Sequence, residues 1–144
     1  MNNEKILFFL ADIFFRDGAV DKEALQIATG LKKDLELWLV VDSSKEEFGS
    51  IPDAEGLAGF FHRTVCLGDF GYAYGTPEAY GFLLGEANIP KEQCLFLDTN
   101  LKRAVHAVEN RIYAAVIIDN ACLEREFLLR RLTDQSYVMH KKPG

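Results

Sequence analysis

The chain is poor in the features that usually announce a chemistry. Its three cysteines, Cys66, Cys94 and Cys122, lie far apart. They form no CxxC pair and no zinc-ligand spacing, so neither a structural zinc site nor a disulfide framework organises the fold. Buried thiols in a reducing cytoplasm are the expectation. Basic residues come in short pairs such as Arg130-Arg131 and Lys141-Lys142 in a chain of net charge −6, which gives no footing for a nucleic-acid surface. The early apolar run Ile6 to Ala11 is too short to span a bilayer. Asp12 and Arg16 interrupt the region, and no small-residue cleavage site follows, so the run reads as a first buried strand. Repeats and low-complexity tracts are absent. The glycines between Gly68 and Gly75 match no phosphate-binding fingerprint and read as turn chemistry. His62, His106 and His140 stand far apart with no partner spacing, which gives no support to a Ser/His or Cys/His catalytic arrangement.

What is present is the composition of a soluble globular protein, 49% hydrophobic and 26% charged over 144 residues, enough for one domain with its own core. That domain is expected over residues 1–133, with a tail at 134–144. Ile6 to about Phe15 reads as the first strand, rich in aromatics and broken by Asp12. Arg16 to Val20 turns at an Asp-Gly pair. Asp21 caps a helix running to about Thr29, with Gly30 at its end. Leu35–Val41 is the second strand, and Asp42-Ser43-Ser44 the turn leaving it. A helix follows from near Asp53 to Phe61, then a short strand from Arg63 to Leu67. Phe8, Phe9, Phe14 and Phe15 are assigned mostly to the core, with Phe14 and Phe15 at the mouth of any site.

The organising stretch is Pro77–Ile118. Ala79, Phe82, Leu83 and Ala87 recur at helical spacing until Asn88 and Pro90 stop the helix. Cys94–Leu97 is an unbroken apolar run, the signature of a strand buried on both faces. Asp98 ends it, and Thr99 or Asn100 caps the helix carrying Ala104, Val105 and Val108. Tyr113–Ile118 is the next buried strand, and Ala121–Leu132 a last amphipathic helix. Five strands alternating with five helices predict a three-layer α/β sandwich around a parallel, Rossmann-like sheet. In such sheets ligands bind beyond the C-terminal strand ends, which draws attention to Asp98 and Asp12.

This stretch resembles the haloacid dehalogenase (HAD)-like superfamily, where a "KPDPE"-type helix start precedes a "CLFVDD"-type strand and a helix of "NVEAAR" character. The resemblance implies an aspartate nucleophile ending strand one, with a second aspartate two residues on as acid/base. It also implies a phosphate-binding hydroxyl after strand two, a lysine before the "PE" helix, and acids after strand four that hold Mg2+. Metal and lysine together cancel the negative charge that gathers when a carboxylate attacks phosphorus.

The present sequence departs from that pattern at several of these positions. LADIFFRDGAV places Leu10 at the nucleophile and Asp12 at the acid/base. The other register makes Asp12 the nucleophile and leaves Phe14 where the acid should be. Asp42 stands at the usual hydroxyl position, with Ser43 and Ser44 beyond it. Tyr74 falls at the lysine position, Gly75-Thr76 replace "PD", and Thr99 replaces the second metal-binding acid after Asp98. No lysine can be placed in the site.

The sequence therefore reads as a degenerate, cap-less HAD-like domain acting in binding or regulation, with a protein partner or self-association closing its open site. The alternative is a Mg2+-dependent HAD-type phosphohydrolase with Asp12 as its catalytic residue. A third reading is a metal-dependent nuclease, since acids at strand ends and an Asp-Thr-Asn run resemble PIN-like nucleases. The candidate site comprises Asp12 and Asp98 as metal ligands, with Asp42, Ser43, Ser44, Thr99 and Asn100 around the ligand. A cytoplasmic location is expected, with neither nucleic acid nor membrane as partner.

Overall fold

A computed structural model describes residues 5–33 and 35–117. Strand β1 (Ile6–Leu10) is wholly buried and runs into a 3-10 turn, Ala11–Phe14. A two-stranded antiparallel hairpin follows, β2 (Phe15–Arg16) and β3 (Ala19–Val20). Asp17 and Gly18, both at positive φ, form its turn; Asp and Gly tolerate that backbone at least cost. Helix α1 (Lys22–Leu31) starts at Asp21, whose carboxylate accepts the N–H groups of Glu23 and Ala24. Then come β4 (Glu36–Val41), α2 (Lys45–Gly49), α3 (Ala54–Phe60) and β5 (Arg63–Cys66). Helix α4 (Pro77–Ala87) has Thr76 as N-cap, Pro77 in its first turn and Asn88 in a left-handed C-cap. Strand β6 (Cys94–Asp98), helix α5 (Leu101–Glu109) and strand β7 (Ala114–Val116) complete the described chain.

The main sheet is five-stranded, in the order β5-β4-β1-β6-β7, and every pairing in it is parallel. The fold is thus the expected α/β class. Successive connections move one way from β1 to β5, then jump back across β1 to β6 and move the other way. Right-handed crossovers in opposite directions put helices on opposite faces and open a crevice between β1 and β6 at the C-terminal strand ends.

Two aromatic clusters fill the two faces. On one, Phe8 stacks on Phe96 at 4.4 Å and meets Trp38 edge-on at 5.2 Å, while Tyr80 of α4 caps Phe96 at 4.9 Å. On the other, Phe9, Phe14 and Phe61 pack with centroids 5.3 to 5.9 Å apart. Alternation along β1 sends Phe8 and Phe9 to opposite sides, so both faces of the strand need cover.

Several boundaries differ from the sequence reading. Strand β1 stops at Leu10, not near Phe15, because the 3-10 turn folds Phe14 under Phe9 and Phe61. Phe14 is accordingly fully buried in the core and not at a site mouth, and Phe15 packs half-buried on Phe48. The strand expected over Tyr113–Ile118 is confined to Ala114–Val116 within the described residues. The helix expected at 121–132, Cys122, His140 and the tail at 134–144 lie outside the described residues. Among the described residues no helix is long and apolar enough to cross a membrane.

Candidate functional site

Strand ends β1, β4 and β6 bring the candidate residues to the same edge of the sheet. Asp98, the last residue of β6, is the one buried charged side chain among the described residues, 1% exposed. A buried carboxylate must be paired and hydrogen-bonded, and Asp98 is both. Its Oδ1 accepts the N–H groups of Thr99 at 2.6 Å and Asn100 at 2.9 Å. Arg103 closes on both oxygens as a planar fork, Nε to Oδ2 at 2.9 Å and Nη2 to Oδ1 at 2.7 Å. The bond to Asp98 is the first cause holding the guanidinium pKa above its usual value, and the carboxylate of Asp12 adds to it.

Arg103 is positioned by α5. Asn100 accepts the Arg103 N–H as N-cap, making Arg103 the third helical residue, one turn above Asp98. The loop before α4 shapes the other side. Tyr74, at the lysine position, is buried with its ring 5.6 Å from the guanidinium carbon of Arg103. Its N–H donates to Asp42 Oδ1 at 2.8 Å, tying the loop to the end of β4. Burial, before any neighbouring charge, pushes the Tyr74 phenol well above its ordinary pKa. Its hydroxyl is the one buried side-chain polar atom among the described residues without a hydrogen-bond partner.

The remaining candidates are less tightly joined. Leu10 ends β1 buried, 2% exposed, while Asp12 is exposed on the following 3-10 turn. Asp42 is exposed after β4. Ser44 is committed to a capping box, its Oγ accepting the Glu47 N–H at 3.1 Å. The backbone of Ser43 and Ser44 is pressed against Gly68, where a Cβ would stand 2.6 Å from the Ser43 carbonyl carbon. Thr99 is exposed at the rim, and Asn100 spends its side-chain oxygen as the α5 cap.

The residues do not fit a divalent cation as they stand. Both oxygens of Asp98 are engaged by Arg103, whose positive charge would repel a second cation beside it. Among the described residues no three His, Cys, Asp or Glu side chains are grouped to share an ion.

The sequence reading missed Arg103 and left the site without a cation. One signal pointed to it. The first turn of α5 carries basic residues at 102 and 103 and no acid, the reverse of what the helix dipole favours. A cation there needs a nearby carboxylate, and Asp98 supplies it.

The parallel order and the switch between β1 and β6 are a fold that the chain shares with solved structures, HAD-like proteins among them. An uncharacterised protein from Corynebacterium glutamicum superposes with a TM-score of 0.67 at 13% identity, over 91% of this chain and 96% of that one. The core domain of a Streptococcus pneumoniae protein provisionally named a phosphoglycolate phosphatase superposes with a TM-score of 0.56 at 13% identity, over 83% of each chain. A 2-haloacid dehalogenase from Pseudomonas syringae pv. Tomato gives 0.61 at 16% identity, over 77% of this chain and 54% of that one. At these identities the likeness concerns the fold. No protein-family profile and no curated protein sequence matches the chain.

Proposed function

We propose that this chain is a degenerate, cap-less HAD-like domain that acts in binding or regulation without phosphatase turnover. The observation that carries the reading is the fork between Arg103 and Asp98. It commits the acid that would hold a metal to a structural ion pair. Leu10 cannot attack phosphorus, and Tyr74 brings no charge to the lysine position. Asp12 and Asp42, two acids that repel a phosphate monoester, face solvent at the strand ends. Phe70 and Leu101, 56% and 62% exposed, are large apolar side chains following β5 and β6, and they suit closure of the site by a protein partner or a second copy.

A second reading is supported by the position of Asp12. It is exposed just beyond the central strand, close enough to Arg103 to stabilise its charge. A phosphohydrolase using Asp12 as nucleophile, with Arg103 in place of lysine, is the enzyme this geometry would allow. Hydrolysis of an aryl phosphate, with and without excess Mg2+, separates the two. The proposed reading expects no turnover above that of Asp12→Asn in equally folded protein. Turnover abolished by Asp12→Asn would establish the second.

A further inference from the structure

We propose that Arg103 is a tethered cation standing where a divalent metal would bind, and that removing its guanidinium turns Asp98 into a cation site. The proposal deepens the reading above and rests on it. Three neighbouring features, Arg103, Gly75 and Tyr74, act as one coordinated replacement. The arginine stem runs against residue 75, which has no side chain: a Cβ on Gly75 would stand 2.5 Å from Arg103 Cδ and would make the stem shift. Gly75 also sits at φ +92°, where a side chain is strained. Tyr74 then offers an uncharged ring to the guanidinium, 5.6 Å away. A lysine at the same place would set like charge against Arg103 in a buried setting. Arginine, glycine and the loss of lysine therefore belong together.

The exchange changes what the site can do. An arginine brings one fixed charge that cannot be removed by chelation, and it fills the fork-shaped demand of a carboxylate. Asp98 keeps its position at the strand end without any dissociable ion. With the guanidinium gone, Asp98 retains two backbone N–H donors and has one oxygen open. It then faces the edge at which Asp12 also lies, which suits a hard cation with oxygen ligands.

The test is thermal unfolding of the full chain in Mg2+ or Mn2+ against sodium chloride of matched ionic strength. Wild type is expected to melt at the same temperature in all three, and to ignore a chelator. Arg103→Ala and Arg103→Gln are expected to melt lower and to regain several degrees in either divalent salt. That gain should vanish when Asp98→Asn is added. A variant too unstable to fold alone should be rescued by Mn2+ through Asp98. Asp98-dependent stabilisation of wild type by Mg2+ overturns the proposal, as does the absence of any such gain or rescue in both variants. Phosphate-ester turnover in the same samples reports on the functional reading separately. A metal-free hydrolase would contradict that reading alone, whereas metal binding to an inactive wild type would contradict this one alone.

Discussion

Gly75 and Arg103 share one small volume: the place where a Cβ of residue 75 would sit is 2.5 Å from Cδ of Arg103. The contact lets the arginine stem pass the loop before α4 and deliver its fork to Asp98. Gly75→Ala should therefore cost about 2 kcal/mol or more, from the positive φ and from the displaced arginine. In an Arg103→Ala background the same substitution should cost less, since only the backbone strain remains. A double-mutant cycle by urea unfolding measures that coupling.

Gly68 makes a harder constraint. A Cβ there would stand 2.6 Å from Ser43 C and 2.7 Å from Ser44 N, both backbone atoms that cannot rotate away. Gly68→Ala should destabilise the domain more than Gly75→Ala, by about 3 kcal/mol on the scale of overpacked sites. Thermal or urea unfolding of the two variants side by side checks the order.

The buried hydroxyl of Tyr74 makes no hydrogen bond among the described residues, so its desolvation is uncompensated. Tyr74→Phe keeps the ring against Arg103 and Tyr80 and removes that cost. The variant should be as stable as wild type or up to about 1 kcal/mol more so. Loss of stability in Tyr74→Phe would mean that the hydroxyl has a partner in solution.

Burial, with the Asp98 charge adding to it, pushes the Tyr80 phenol from an ordinary value of 10.0 up to about 12. Above pH 10 the unfolded chain loses this proton while the folded chain retains it, so ionisation favours unfolding. Stability from this group is complete below pH 10 and is lost as the pH rises toward 12. Tyr80→Phe should flatten that alkaline limb in urea unfolding measured across pH. Tyr74, raised by the same cause, leaves part of the slope in place.

The scaffold was legible because its signals are local. The run Cys94–Leu97 is too apolar for anything but a two-sided strand, and Asn88 with Pro90 can only end a helix. Phe14 and Phe15 continue the aromatic run of the first strand and lengthen it in the sequence, while the turn that buries Phe14 depends on Phe61, just past the end of α3. Helix α2 is short, yet Ser44 and Glu47 already carried the capping-box spacing that starts it. The acids of the site could be located from strand ends. Their state could not: whether Asp98 is open or locked depends on Arg103 of α5 meeting Tyr74 and Gly75 of the loop before α4, which no periodicity reports.

Strand ends without phosphoryl-transfer chemistry leave Asp12 unmodified, and the most direct measurement asks whether Asp12 can be phosphorylated. The full chain would be incubated with a small acyl phosphate and Mg2+, quenched in acid and examined by intact-protein mass spectrometry. No phosphoryl adduct is expected on wild type or on Asp12→Asn. An adduct on wild type that Asp12→Asn abolishes would contradict the account and make Asp12 a nucleophile.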